Sequence, residues 1–146
     1  MEIAVKNTEV IIARGHENIQ STHKTTFEIT KETSLTKRGD CVIAVGATKG
    51  AADLNPRFKE VAKKESARIT ITIEAGEVKE VVRARGTPQL LFTHATDLVV
   101  RKSGYVCGRT VAVRADKVAS DLSRELVEKM RDPLQEIKIT LTVEDY

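Results

Sequence analysis

The sequence predicts an α+β fold that is strand-rich and internally duplicated, with a βββαβ unit occurring twice around a pseudo-two-fold core. Three observations carry this. Among 146 residues there are 16 Val, 11 Ile and 16 Thr, and β-branched side chains, stiff at χ1, suit the pleated surface of a sheet. Aromatics are scarce, limited to Phe27, Phe58, Phe92, Tyr105 and Tyr146, so a Val/Ile/Leu core without large rings is expected. The third is that the chain repeats itself. EVIIARGHENIQSTHKT (9–25) matches EVVRARGTPQLLFTHAT (80–96), AVGATKGAADLNPRFKE (44–60) matches AVRADKVASDLSRELVE (112–128), and ITITIE (69–74) matches ITLTVE (139–144). Three blocks in one order, at offsets of 71, 68 and 70 residues, point to two copies, about 9–74 and 80–144.

Each copy reads the same way. A first strand covers EVIIARG or EVVRARG, and a second begins near the shared Thr-His-x-Thr and runs through 26–31 or 98–102. The third is CVIAV (41–45) or TVAV (110–113). A helix follows at about 55–65 and about 120–131, where Asn55 before Pro56 supplies an N-cap and a favoured first helical residue, and Ser120, Asp121 or Ser123 can cap the second. Leu122, Leu126, Val127 and Met130 recur at helical spacing. In the last strand Ile69, Ile71 and Ile73 alternate with Thr70 and Thr72, as Ile139, Leu141 and Val143 do in the second copy. Gly76 marks the turn between copies. Halves of about 65 residues are marginal alone, so the expectation is a single domain over 1–146, either barrel-like or a two-sheet core with two helices.

Composition excludes several classes. The 24 Lys plus Arg against 21 Asp plus Glu leave a net charge of +3, interspersed and too weak to imply a polyanionic partner. Five scattered aromatics supply no base-stacking platform, which demotes nucleic acid. No run approaches the roughly 18 apolar residues of a membrane span, and no signal-like segment opens the sequence, so the expected location is cytoplasmic. Cys41 and Cys107 form neither a CxxC pair nor a zinc-ligand spacing and read as buried thiols in a reducing compartment.

Duplication sorts the candidate residues. His23 and His94 recur, and two equivalent imidazoles near a dyad would make an acid–base pair; the other reading is that each holds its neighbouring Thr and the backbone at a strand start. Arg14-Gly15 and Arg85-Gly86 end equivalent strands, where Arg offers a fork for carboxylate or phosphate and Gly permits positive φ; a structural turn with a surface Arg is the alternative. One-sided features are His16, Asp40 and the loop Gly46-Ala47-Thr48-Lys49-Gly50, whose backbone N–H groups and Lys49 can meet an anion. That loop lacks the nucleotide P-loop spacing, and its counterpart at 114–118 has no Gly, so glycine there reads as special to one half. No nucleophile stands in a recognisable context.

The stretch Leu-Thr-Lys-Arg-Gly-Asp-Cys-Val-Ile-Ala-Val (35–45) resembles the Gly-Asp box of cradle-loop barrels, built from two pseudo-symmetric halves; the second copy has Gly108-Arg109 where Gly-Asp would stand. More broadly, 15–32 with 35–47 is similar to a small archaeal family known as a domain of unknown function (DUF371). That resemblance implies an intracellular protein and supplies no activity or site residue.

The reading therefore expects a protein that binds, and can turn over, a small phosphate- or carboxylate-bearing ligand between the copies. Arg14, His16, Thr25, Gly46, Lys49, Gly50, Arg85 and Thr96 would hold it, with His23 or His94 as the proton-transfer group and Asp40 orienting it. No metal is expected, no cofactor is identified, and a homodimer is left open. The rival is a non-catalytic domain that binds nucleic acid or a protein through a contiguous basic face.

Overall fold

The computed structural model describes residues 5–145; Tyr146 lies outside them. Eight strands, two α-helices and two short 3-10 helices follow in the order β1 (Val5–Arg14), β2 (Thr26–Thr30), β3 (Val42–Ala44), η1 (Ala51–Asp53), α1 (Pro56–Ala62), β4 (Arg68–Ala75), β5 (Val78–Arg85), β6 (Asp97–Arg101), β7 (Thr110–Ala112), η2 (Ala119–Asp121), α2 (Arg124–Met130) and β8 (Glu136–Asp145). One order of elements thus occurs twice, strand for strand.

The strands form two four-stranded sheets, β1-β8-β4-β5 and β3-β2-β6-β7. The first is antiparallel throughout. In the second, β2 and β6 are antiparallel at the centre, and β3 and β7 add in parallel at the edges. Among the described residues only two isolated bridges join the sheets, Arg14 with Val45 and Arg85 with Val113. The barrel-like expectation is corrected accordingly: a single bridge at each seam is no strand ladder, and the core is a two-sheet one.

Local chemistry explains the elements. In β4 and β8 the aliphatic positions Ile69, Ile71, Ile73, Ile137, Ile139, Leu141 and Val143 are buried while the intervening residues are not, as a strand with one face on a core requires. Asn55 caps α1 by accepting from the Phe58 N–H at 2.8 Å, and Ser123 caps α2 by accepting from the Leu126 N–H at 3.2 Å. Both helices are shorter than the periodicity implies. Residues 120–121, expected to begin the second helix, instead belong to η2, where the Asp121 carboxylate receives the Val118 N–H at 2.9 Å; Asp53 does the same for Gly50 at η1.

Elements of the two halves interlock. β1 pairs with β8 along its whole length, and a two-residue turn at Gly76, with φ of +62°, folds β4 onto β5. One buried cluster draws Ile11, Phe27, Ile43, Phe58 and Ile71 from the first half and Val82, Leu98, Val111, Leu126 and Ile139 from the second. The expectation of a core without large rings is corrected: Phe27, Phe58 and Phe92 are all buried in it, and Phe58 of α1 meets Phe92 edge-on with centroids 6.4 Å apart.

Gly15 and Gly86 do not have positive φ, so the turn-conformation reason for them is corrected. A Cβ on Gly86 would overlap the Ala62 carbonyl at the end of α1, and one on Gly15 would overlap the Met130 and Asp132 carbonyls at the end of α2. The residues that follow cap those helix ends: Thr87 N–H donates to the Ala62 carbonyl at 3.0 Å and His16 N–H to that of Met130 at 2.9 Å. Gly86→Ala is expected to lower the unfolding free energy by about 1–3 kcal/mol, the usual cost of overpacking. Gly39→Ala should cost less, because its Cβ would meet only the movable Leu35 side chain. Urea denaturation of the two variants, with Gly86→Ala the more damaging, checks this.

Candidate functional site

Strand alternation gives the β3-β2-β6-β7 sheet two unlike faces. Phe27, Ile29, Leu98 and Val100 point into the core. Thr26, Glu28 and Thr30 of β2, with Asp97, Val99 and Arg101 of β6, share the other face, and the register sets Glu28 opposite Val99 and Thr30 opposite Asp97. β2 is buried at all five positions, polar ones included. Parallel neighbours require a crossover connection, and the segments 31–41 and 102–109 that lead into β3 and β7 supply it.

Here the polar residues converge on Arg109. Its guanidinium donates to Glu28 Oε1 at 3.1 Å and to Asp97 Oδ2 at 3.3 Å. Asp97 Oδ1 also accepts from the Thr30 hydroxyl at 2.7 Å and the Thr96 hydroxyl at 2.9 Å, and His94 Nδ1 lies 4.0 Å from Asp97 Oδ2. Beside this trio, Arg101 donates through Nε to Thr110 Oγ1 at 2.9 Å and through Nη2 to Cys107 Sγ at 3.3 Å, and its guanidinium sits 4.8 Å over the Tyr105 ring.

The ionisation of these groups is displaced. Burial and the Asp97 charge push the Glu28 carboxyl up to about 7, against the pull of Arg109. Asp97 moves the other way: burial raises it, but hydrogen bonds from Thr30, Thr96 and Arg109 outweigh that and hold it below the usual carboxylate range. Burial also acts to raise Cys107, yet the Arg109 N–H, the Thr110 hydroxyl and the Arg101 guanidinium together bring the thiol down to about 7. Cys41, desolvated and facing the Glu28 and Asp40 charges, goes up to about 11. Perturbed acids and thiols concentrate where proteins do chemistry, and Asp53 is the remaining such group among the described residues, engaged at the η1 cap with Gly50 and Lys31.

The residues expected from sequence fall around this centre unevenly. His23 and His94 do not meet. They precede β2 and β6, which run antiparallel, so they stand at opposite ends of a strand pair about 13 Å long at roughly 3.3 Å per residue. Each does local work: His23 Nδ1 accepts from Thr25 N–H at 3.2 Å, and His94 Nδ1 from Thr96 and Asp97 N–H at 3.3 and 3.0 Å. His16 Nδ1 accepts from Asn18 N–H at 3.0 Å. Thr25 and Thr96 complete these turns, Thr96 alone reaching the centre. Asp40 meets His23 through its carbonyl, which receives the His23 N–H at 3.2 Å. Gly108 receives the His94 N–H in the same way at 3.0 Å, so Cys107-Gly108 occupies the place of Gly39-Asp40, one residue earlier than the sequence match suggested.

The Gly46–Gly50 loop has its donors engaged. The N–H groups of Gly46, Ala47 and Thr48 reach the carbonyls of Glu32, Thr30 and Ile12, each at 2.9 Å, that of Gly50 reaches Asp53 at 2.8 Å, and Lys49 Nζ pairs with buried Glu9 at 2.9 Å. Arg114 takes the backbone conformation of Gly46, with φ of +53° against +61°, so that conformation belongs to both halves. Arg14 and Arg85 are exposed at the two seams, away from the centre. Among the described residues no group of three His, Cys, Asp or Glu is placed to hold a metal, and no helix is long and apolar enough to cross a membrane.

Sequence reasoning missed Glu28, Asp97, Arg101, Cys107 and Arg109. A signal was available, because at the 71- and 68-residue offsets these face Val99, Thr26, Thr30, Gly39 and Cys41 in the other half: every one is special to its half.

Two predictions follow from the site's geometry. The Glu28 carboxyl stands above its unfolded value of 4.5 when folded, so the stability it contributes is complete below about pH 4.5 and lost as pH rises through about 7. Glu28→Gln should flatten the pH dependence of unfolding free energy across that window, read by denaturation at a series of pH values. At the His94 turn, Asn can replace the accepting nitrogen and Ala cannot; His94→Ala should cost about 1 kcal/mol and His94→Asn much less, measured by thermal unfolding.

A family model described as a domain of unknown function (DUF371) matches residues 11–144. The uncharacterized protein MJ0206 of Methanocaldococcus jannaschii is 42% identical over 123 residues, covering 84% of this chain and 90% of that protein.

Proposed function

Because the chain belongs to the DUF371 family, whose description names no activity, we propose its function from the geometry: the centre around Arg109 binds a small carboxylate- or phosphate-bearing ligand and does proton-transfer and thiol chemistry on it. Glu28 is the proton-transfer group, Cys107 the nucleophile, Arg101 and Arg109 the cationic groups that draw the ligand's charge, and Asp97 positions Arg109. The observation that carries this reading is the juxtaposition of a carboxyl and a thiol that both titrate near neutrality within one cluster bridged by Arg109. A general acid or base works best with a pKa near the working pH, and a thiol attacks as its thiolate.

The paired structure supports it. We infer that the halves are copies of one ancestor, since their main-chain contacts recur in pairs: Ser120 N–H to the His23 carbonyl at 3.0 Å answers Ala52 N–H to that of His94 at 2.9 Å, and Lys117 on Glu80 at 3.2 Å answers Lys49 on Glu9 at 2.9 Å. Against that background the Arg109 centre is one-sided. The opposite half builds the same strands with Val, Thr and Cys in these places, so the fold does not require the charges.

Alkylation tests the proposal. An ordinary thiolate repels an anionic reagent and reacts faster with iodoacetamide than with iodoacetate. At neutral pH Cys107 is expected to be carboxymethylated by iodoacetate at least as fast as it reacts with iodoacetamide, and about tenfold or more ahead of Cys41 with either, read by peptide mass spectrometry over time. Replacement of Arg101 by Gln should restore the ordinary preference. Equal labelling of the two cysteines, or an ordinary preference at Cys107, refutes the reading.

A further inference from the structure

The outer face of the β4–β5 hairpin carries a groove of about 420 Å³ lined by Arg68, Thr70, Arg83, Arg85, Arg114 and Glu144 together with Ile69 and Ala84. We infer that it is a binding site for a compact polyphosphate, the di- or triphosphate group of a small molecule.

Three observations converge on that chemistry. The register places Arg68 directly opposite Arg85, with Arg83 opposite the adjacent Thr70. Like charges directly across an antiparallel pair are destabilising, and four guanidinium groups share this groove with the single carboxylate of Glu144, which itself lies opposite Arg68 and reaches Lys6 at 3.9 Å. Among the described residues none of the four arginines takes part in an ion pair within 4.0 Å. Asp116, near in sequence, accepts from the Arg83 main-chain N–H at 2.9 Å.

The second observation is strain. Arg114 has φ of +53° where its counterpart in the other half is Gly46 at +61°. A left-handed conformation costs a residue with a Cβ about 1 kcal/mol, so glycine is the better residue for the fold at this point and arginine stands there at a cost. Strain of this kind gathers at ligand sites.

Third, the groove is one-sided. The matching positions of the first half are Ile12, Arg14 and Gly46, with Lys138 in place of Arg68, so two of the four guanidiniums have no cationic counterpart. Guanidinium forks suit phosphate oxygens. The lining contains no aromatic ring on which successive bases could stack, which favours a compact polyanion over a nucleic-acid strand.

Calorimetric titration of the full chain with phosphate, pyrophosphate and tripolyphosphate tests the site. Affinity is expected to rise along that series and to fall with added salt. Arg114→Gly removes a guanidinium and supplies the residue the conformation prefers, so it should bind tripolyphosphate about tenfold or more weakly, as loss of a charge-assisted contact does, while its thermal midpoint stays level or rises. Arg83→Gln should also weaken binding. Adenosine triphosphate compared with tripolyphosphate separates the sources: equal affinity identifies the bare phosphate chain as the recognised group, and tighter nucleotide binding identifies a nucleotide; both support the site. Absence of saturable binding, affinity unmoved by Arg114→Gly, or tighter binding of an oligonucleotide than of tripolyphosphate overturns it.

Discussion

The architecture depends on two places where main chain lies against main chain with no room for a side chain. At Gly15 and Gly86 the end of each half's first strand presses on the last turn of the other half's helix, and the N–H of the next residue caps that helix. An uncapped helix end leaves carbonyls without partners; here the partner comes from the opposite half. The carbonyl of each helix's last residue, Ala62 or Met130, is therefore met from the opposite half. The same exchange recurs in the β1–β8 pairing and in the 3-10 turns whose N–H groups reach the His94 and His23 carbonyls. The interlocking leaves no surface along which the halves could part without exposing both sheets.

A scaffold in which one order of elements occurs twice gives an internal comparison. Where the halves agree, residues hold the chain: Glu9 and Glu80 each tie a lysine and a helix N-terminus together, and His23 and His94 each fold a turn. Where they differ on an otherwise matched surface, the residue is not there for the fold. Two such places exist on opposite sheets. One is half-buried, with carboxyls and a thiol whose ionisation is displaced around Arg109. The other is open and cationic. The first is suited to chemistry and the second to holding charge.

Much of this was legible in the sequence. The alternation of Ile and Thr in 69–73 specifies a half-buried strand, Asn55-Pro56 specifies where a helix begins, and the repeated Thr-His-x-Thr marks equivalent turns. What the sequence concealed depends on pairing. Nothing local says that β2 and β6 run antiparallel at the centre of their sheet, and that arrangement separates the two histidines while bringing Arg109 to Glu28, a residue 81 positions away. Cys107 read as a buried thiol because nothing in the local sequence shows that the Arg109 N–H, the Thr110 hydroxyl and the Arg101 guanidinium all turn onto its sulfur. The Gly-rich loop looked like an anion cradle because its hydrogen bonds to Glu32, Thr30 and Ile12 cannot be read from spacing.

The central claim is that the one-sided charges serve function and the shared residues serve the fold. Exchanging the trio for the residues of the matching positions, Glu28→Val with Asp97→Thr and Arg109→Cys, removes the charges together and leaves none buried alone. Replacing a complete buried ion cluster by apolar groups is often neutral or stabilising, so the unfolding free energy of the triple variant, measured by urea denaturation, should match the parent protein to within about 1 kcal/mol or exceed it. Loss of a cooperative transition in that variant would mean that the cluster holds the structure together, and the account would be contradicted.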